Sequence, residues 1–286
     1  MFESLLGKHK NKTIIVVAAV AVFCLLVLWR FFAPGGGGLE IYFLDVGQGD
    51  SELVRTNGVD ILIDGGPPNG RALAELAGAL PRGDRYIDLV ILSHPQLDHF
   101  GGLIEVLERY KVGAFIWNGA AAESEAFADL KNTLLKNGIP EIILGAGDRI
   151  RMNGSEFVVV SPDSELLKVK DVNDTSIVLE LKSGKSRTLF TGDAGAAVLD
   201  KLRIGDIDIL KVAHHGSRFS SSAEFLAAVK PEAAVIEVGK NSYGHPTFEA
   251  LEALANAGAQ IFRTDSDGTL KFVIGGEDIK IFKDLW

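Results

Sequence analysis

Histidine and carboxylate residues gathered in one short segment are the part of this sequence best suited to chemistry. Segment 93–102 reads SHPQLDHFGG and follows the apolar run 89–92, which predicts a buried strand. The proline after His94 cannot continue a strand, so a loop begins there. Asp98 and His99 then stand at a predicted helix start. These nitrogen and oxygen donors predict a divalent metal site, unless Asp98 serves only as a helix cap.

The histidines of the C-terminal half are placed in the same way. His214 and His215 follow the strand pattern 207–212, His245 lies in a glycine-containing turn, and Asp193 follows another short strand pattern. Residues at the ends of separate strands meet at one edge of a sheet, so we expect these side chains to converge on one metal centre. Zinc is the usual ion for histidine and aspartate ligands, whereas manganese suits an oxygen-rich site.

The N-terminal region has the pattern of a membrane anchor. Residues 1–12 contain three lysines, and residues 13–29 are uncharged and apolar. That run lies at the short end of the roughly 17 to 25 residues that cross a bilayer. The charge distribution predicts a cytoplasmic tail over 1–12, a single transmembrane anchor over 13–33 and an extracytoplasmic body at the cell membrane. A cleaved signal peptide is the alternative, although Phe31-Phe32-Ala33 is a poor cleavage site.

The remainder of the chain is predicted to be a glycine-rich linker, 34–38, followed by one folded body, 39–286. Strand and helix patterns alternate along the body and predict two layered halves. The body contains 25 basic and 37 acidic residues, a net charge of −12, so it has no general attraction for nucleic acid. A polyanionic substrate would have to be held locally. The one cysteine, Cys24, lies in the apolar N-terminal run, so the body has no disulfide.

Several motifs in a fixed order resemble the metallo-β-lactamase fold superfamily. Within it, residues 39–275 are similar to the hydrolase domain of the ComEC family of competence DNA-uptake proteins. The motifs are 44–50 (LDVGQGD), 94–99 (HPQLDH), 173–176 (NDTS), 191–193 (TGD), 211–217 (KVAHHGS), 243–246 (YGHP) and 263–268 (RTDSDG). The resemblance implies an α+β fold, a four-layer αββα sandwich with the metal site at the edge between its two sheets.

The resemblance also implies the metal ligands. They are His94, Asp98, His99, Asp193 and one member of the pair His214 and His215. Asp193 would be able to bridge to a second metal on the His94 side. Gln96 departs from the superfamily pattern His-x-His-x-Asp-His, and an amide oxygen is a weak ligand. We therefore predict one tight metal site and a second site that is weak or absent.

The resemblance favours a metal-dependent hydrolase of phosphodiesters, with single-stranded DNA as the expected substrate. Asp98 and Asp193 are predicted to orient water and accept its proton, and Lys211 and His245 to hold a phosphate oxygen. For Lys211 the alternative is a side chain that points to solvent. The residues predicted to support the ligands or contact the substrate are Asp45, Asp50, Asp64, Gln96, Asn173, Ser217 and Asn241.

Two other functions fit the sequence. The acidic body is compatible with a surface phosphodiesterase that acts on small or cell-wall phosphoesters. The substitution at Gln96 is compatible with a binding domain that has lost its catalytic activity. ComEC-type proteins join this domain to a polytopic channel, so a separate channel protein could be a partner of this chain. The family resemblance supports the hydrolytic chemistry more directly than a role in DNA import.

Overall fold

The computed structural model describes residues 38–152, 154–276, 278–283 and 285–286. The predicted tail and anchor, and all but the last residue of the predicted linker, lie outside the described residues. In the described part, no helix combines the length and the apolar character needed to cross a membrane. Two β-sheets pack face to face, and helices cover their outer faces. This is the αββα order predicted from the sequence.

The described chain contains two mixed sheets and a set of mostly short helices. The strands are β1 Leu39–Phe43, β2 Glu52–Thr56, β3 Val59–Ile63, β4 Tyr86–Ile91, β5 Lys111–Trp117, β6 Glu141–Ile143, β7 Arg149–Met152, β8 Ser155–Ser161, β9 Val178–Ser183, β10 Ser186–Phe190, β11 Ile209–Lys211, β12 Ala233–Ile236, β13 Gln260–Arg263, β14 Leu270–Gly275 and β15 Asp278–Phe282. The helices are α1 Arg71–Ala79, α2 Leu97–Arg109, α3 Glu125–Asn137, α4 Ala196–Leu199, α5 Ala223–Val229, α6 Phe248–Asn256 and α7 Thr264–Asp267.

Each sheet has a parallel half that places its strand ends at the same edge. The first sheet runs β15-β14-β1-β2-β3-β4-β5-β6, and β3 to β6 are parallel. The second sheet runs β13-β12-β11-β10-β9-β8-β7, and β10 to β13 are parallel. Ligands in open α/β sheets bind beyond the carboxyl ends of such strands. The loops after β4, β10, β11 and β12 are therefore where a site is expected.

Three apolar layers hold the sandwich together. The layer between the sheets includes Ile41, Phe43, Ile91, Phe157 and Phe190. A second layer joins the first sheet to α1, α2 and α3, and a third joins the second sheet to α5 and α6. Strand β4 alternates between layers, because Val90 packs against the helices and Ile91 faces the other sheet. Burial on both faces explains why residues 89–92 read as a continuous apolar run.

One helix start agrees with the sequence prediction, and two features of the fold differ from it. Helix α2 begins at Leu97, so Asp98 and His99 lie within its first turn, at the helix start predicted from the sequence. Helix α4 is only four residues long, shorter than the helix that the sequence pattern predicts over 194–202. Strand β14, which the sequence patterns did not indicate, pairs with β1 in antiparallel fashion and completes the first sheet.

Candidate metal centre

The first sheet contributes two histidines through the turn after β4. His94 follows this strand directly, and the first turn of α2 presents His99; both side chains are fully buried. Helix α2 approaches the chain after β3 so closely that a Cβ on Gly102 would lie 2.0 Å from the carbonyl oxygen of Gly65. Only glycine fits at that contact, and the close approach places His99 beside Asp64.

The second sheet contributes an aspartate and two histidines. Asp193 follows β10 and is buried, and His214 and His215 follow β11. Both histidines have left-handed backbone geometry, with φ of 51° and 54°. Non-glycine residues rarely adopt this geometry, and consecutive examples cluster at functional sites. The turn buries His215 and leaves His214 partly exposed at the cavity beside it.

The side chains from the two sheets meet at one point. His99 Nε2 lies 3.4 Å from Asp193 Oδ2, and His215 Nε2 lies 3.7 Å from the same oxygen. His215 Nε2 is also 3.5 Å from Asp98 Oδ2. The rings of His94 and His99 have centroids 4.2 Å apart, and ligand atoms of His94, His99 and Asp193 all lie within 4.8 Å of one another. The predicted convergence of these residues is therefore present in the structure.

The donor atoms at this point fit a divalent cation. The Nε2 atoms of His94, His99 and His215 and both carboxylate oxygens of Asp193 are buried and make no hydrogen bond within the described chain. Buried polar atoms are normally paired, so a group of unpaired donors facing one position requires an explanation. Imidazole nitrogen and carboxylate oxygen are the ligands of zinc and similar transition metals. A metal ion would satisfy the unpaired atoms together.

The other ring nitrogens are held by partners that orient the rings. Asp64 Oδ2 accepts from His99 Nδ1 at 2.8 Å and from the Ser93 hydroxyl at 2.6 Å. The same hydroxyl lies 3.0 Å from His94 Nδ1, and His215 Nδ1 donates to the Glu237 carbonyl at 2.9 Å. Such outer partners fix the tautomer and direction of metal-binding histidines. Asp64 therefore occupies the supporting position that the family resemblance implies.

Unbalanced negative charge dominates the electrostatics of the centre. Burial would lower the pKa of His215, but Asp193 and Asp50 raise it to about 10. His99 behaves in the same way, and its pKa lies well above the ordinary value. Burial and the charge of His99 lower the pKa of His94 to about 3. The carboxylates thus attract positive charge to the centre, as protons or as a metal ion.

Lys211 does not lie where the sequence prediction placed it. Its side chain is fully buried at the end of β11, forms an ion pair with Asp50 and donates to the Gly192 carbonyl at 3.0 Å. Its Nζ atom is 3.9 Å from Asp193 Oδ1. It neither points to solvent nor lines the cavity, so it cannot hold a substrate phosphate. Lys211 is an internal counter-ion behind the metal centre.

An open cavity of about 470 Å³ leads from the surface to the centre. Its walls are formed by Gln48, Pro67, Gln96, Leu97, Asp98, Asn173, His214, His215, Tyr243 and His245. Gln96 donates to Asn173 Oδ1 at 2.5 Å, so its amide is engaged with the wall. Predicted site residues Asp98, His245, Gln96 and Asn173 are therefore accessible to a substrate.

Other predicted residues lie outside the cavity wall. Asp45 forms an ion pair with Arg71 at 3.0 Å, and Asp50 lies behind the centre with Lys211. Ser217 is buried, and its hydroxyl accepts from the Phe219 amide. Asn241 spans its own loop through four hydrogen bonds. These placements do not support direct substrate contact by any of these four predicted residues.

The prediction also missed three residues that the structure places at the site. Ser93 connects Asp64 to His94, Glu237 lies beneath His215, and Tyr243 forms part of the cavity mouth. Glu237 is an acidic residue within the apolar run 233–238, which was a usable signal of a buried polar network. Tyr243 belongs to the motif 243–246, but its residue type alone did not distinguish it from a surface tyrosine.

The fold and this site define a class. The model of the Metallo-beta-lactamase superfamily matches residues 44–239, and the chain belongs to that superfamily. Within it the chain is ComEC-like over most of its length. It is 26% identical over 298 aligned positions to ComE operon protein 3 of Bacillus subtilis (strain 168), covering 93% of this chain and 37% of that protein. It is 31% identical over 262 positions to competence protein ComA of Neisseria gonorrhoeae, covering 85% and 34%.

The chain spans about a third of the length of these curated relatives. A solved structure supports the fold independently: the metallo-beta-lactamase fold protein YhfI from Bacillus subtilis superposes with a TM-score of 0.59 at 12% identity. That superposition covers 82% of this chain and 99% of YhfI. The cluster of buried histidine and aspartate residues lies within or directly beside the family match.

Proposed function

We propose that this chain is a metal-dependent phosphodiesterase that cleaves DNA. The observation that carries the proposal is the convergence of three unpaired imidazole nitrogens and the Asp193 carboxylate at an open cavity. Similarity to two competence proteins supports DNA as the substrate. The predicted anchor over residues 13–33 would hold the domain outside the cell membrane, and a separate channel protein is its proposed partner in that setting.

The residues of the centre have distinct proposed roles. His94, His99, His215 and Asp193 would hold the metal, which supplies Lewis acidity and activates water for attack on phosphorus. Asp98 lies beside them, and although burial would raise its pKa, the neighbouring His215 and the charge of His99 lower it to about 2. It is therefore ionised at neutral pH and can orient a water molecule at the cavity floor.

The structure favours one metal ion over two. Among the candidate ligand groups of the described residues, the one with His94 and Asp193 and the one with Asp98 and His215 share His99, so they cannot each hold an ion through that ring nitrogen. The amide of Gln96, which stands where the superfamily has a further ligand, is engaged with Asn173. These contacts support one tight site, with zinc or manganese as the expected ion.

A second candidate function is hydrolysis of a small or cell-wall phosphodiester. The specific observation in its favour is the modest cavity, about 470 Å³, in a body that carries a net charge of −12. A cavity of this size suits one small ligand. The acidic surface would repel a long polyanion except where the metal and the cavity hold it.

The test compares two substrates in one assay. The purified chain is stripped of metal, supplied with zinc or manganese, and offered single-stranded DNA and bis-p-nitrophenyl phosphate in parallel. We expect metal-restored cleavage of DNA that is lost in Asp193→Ala and retained in Asp45→Ala, a carboxylate outside the cavity. Cleavage of the small ester alone would establish the second candidate. Retention of DNA cleavage by Asp193→Ala would contradict the assigned centre.

A further inference from the structure

Tyr243 is an exposed aromatic residue at the mouth of the cavity. Its side chain is 73% exposed, yet it lines the same cavity as His214 and His215. An exposed aromatic face at the mouth of a polar cavity can receive a flat ligand. Tyr243 is therefore placed where its ring can contact a flat group of a ligand in the cavity.

A row of aromatic rings connects Tyr243 to the metal centre. The Tyr243 and His245 rings are 5.9 Å apart and inclined by 32°, and the His245 and His214 rings are 5.5 Å apart. The His214 and His215 rings follow at 6.0 Å. One wall of the cavity is thus aromatic from the surface to the centre. A ligand with a phosphodiester at the centre and an adjoining flat ring would lie along this wall.

The loop that carries Tyr243 is held in place before any ligand arrives. The Asn241 side chain accepts from the backbone amides of Tyr243 and His245 at 3.0 and 3.1 Å. Its amide nitrogen donates to the carbonyls of Gly239 and His245 at 2.9 and 2.8 Å. Asn241 therefore fixes both ends of the loop, and an ordered loop loses little entropy when it binds a ligand.

Two unpaired polar atoms lie on the same cavity walls. The Gln48 side-chain nitrogen and the His245 Nδ1 atom are buried and make no hydrogen bond in the described part of the chain. Gln48 is fixed from its other end, because its amide oxygen accepts from the Gly239 amide at 3.3 Å. An amide donor and an imidazole nitrogen can bond to the polar edge of a heteroaromatic ring. A purely apolar ligand would leave both unpaired.

The described cavity wall lacks the basic side chains that usually bind the phosphates of nucleic acid. The body is strongly acidic, and the cavity wall contains no lysine or arginine among the described residues. The cavity wall itself therefore supplies no basic side chain to bind the phosphates of a strand. Stacking of bases on aromatic side chains is the other main source of affinity for single strands, and it tolerates any base sequence.

We propose that Tyr243 is the stacking platform for a nucleobase of single-stranded nucleic acid, next to the phosphodiester held at the metal centre. This inference rests on the proposed nuclease function. Away from the phosphodiester that is cleaved, the strand would contact the aromatic wall of the cavity rather than a groove of basic residues. Tyr243 is thus a binding residue that determines preference for single strands with intact bases.

The test uses two fluorescently labelled oligonucleotides, a dT strand and an abasic strand with the same phosphates. Equilibrium binding is measured by anisotropy in chelator, and KM and kcat are measured with zinc. We expect the wild-type chain to prefer the dT strand. Tyr243→Ala should weaken its binding and raise its KM by about 5- to 100-fold with kcat little changed, and should remove the preference. Tyr243→Phe should retain the preference for the dT strand, because the aromatic ring is still present.

The matched control is Phe248→Ala, since Phe248 is 74% exposed and does not line the cavity. Its binding should equal that of the wild type. Unchanged binding in Tyr243→Ala, equal loss in Phe248→Ala, or equal affinity for dT and abasic strands would each overturn the stacking proposal. If the wild-type chain hydrolyses the small ester and neither binds nor cleaves DNA, the nuclease function fails and the stacking proposal fails with it. Cleavage of DNA with normal Tyr243→Ala behaviour rejects the stacking proposal alone.

Discussion

Substitution of the buried lysine behind the metal centre should destabilise the fold strongly. Lys211 is fully buried, and its ammonium group contacts the Asp50 carboxylate and the Gly192 carbonyl. Lys211→Met retains an unbranched side chain of similar bulk but removes the charge. Asp50 is then left buried without its nearest cation, in a region that already contains Asp193. The unpaired carboxylate, rather than a cavity, is the main expected cost.

The size of the effect follows from the burial of both partners. Removal of one partner from a buried ion pair costs about 3–5 kcal/mol. For a body of this length, that loss corresponds to a decrease in Tm of roughly 6–20 °C. Burial would lower the pKa of Lys211, but Asp50 and Asp193 raise it, so its contribution is lost only as pH rises through that raised value. Lys211 retains its full contribution at neutral pH, where the measurement should be made.

The assay is urea unfolding at pH 7 in chelator, applied to wild type, Lys211→Met, Asp50→Asn and the double variant. The double variant removes both charges, so it should recover stability relative to Lys211→Met. A positive interaction energy between the two substitutions would show that the charges stabilise each other. A loss below about 1 kcal/mol in Lys211→Met, or additive effects in the double variant, would refute the reasoning, because that is the range of an exposed ion pair.

Three further predictions follow from the same region. Burial and the charge of Asp50 raise the pKa of Glu237 to about 8. The contribution of Glu237 to stability is therefore complete below the ordinary carboxyl pKa and is lost as pH rises through about 8. Glu237→Gln should reduce the decline in Tm over that pH interval, and an unchanged decline would contradict this. Metal binding should displace protons from His99 and His215, because their pKa values are raised. Calorimetry in buffers of different ionisation enthalpy should therefore detect proton release, and the affinity for the metal should be weaker at lower pH. Metal analysis after dialysis should find one retained equivalent in the wild type and a second in Gln96→Asp, whereas two in the wild type would contradict the single tight site.

The four-layer order and the candidate ligand set came from the family resemblance, whereas local patterns indicated the strands and loops that carry these residues. The apolar run before His94 and the strand pattern before His214 each precede a site loop, and strands β4 and β11 end where these patterns indicate. The helix-like pattern of residues 71–80 in the sequence likewise corresponds to helix α1, Arg71–Ala79. Local patterns therefore gave the elements that hold the centre.

The features that were not predicted depend on contacts between distant parts of the chain. Strand β14 pairs with β1 across almost the whole body, and no local pattern reports such a partner. The sequence allowed the Lys211 side chain either to point to solvent or to hold a substrate phosphate. Its actual burial depends on Asp50, which lies far away in the chain. The turn before helix α2 is fixed by Asp64, which accepts from the Ser93 amide and hydroxyl and lies far from Ser93 in the chain. Tertiary contacts decided each of these cases.

The division of the centre between two sheets makes metal supply a determinant of how much folded protein persists. His94 and His99 come from one half of the sandwich, and Asp193 and His215 from the other, so an ion bound by all four binds only the assembled fold. Such an ion would add about 4 kcal/mol at a thousand times its dissociation constant. In ion-poor surroundings the folded state would lose this contribution, and a larger fraction of the chain would be unfolded and accessible to proteases. Protein abundance would then follow the ion content of the environment.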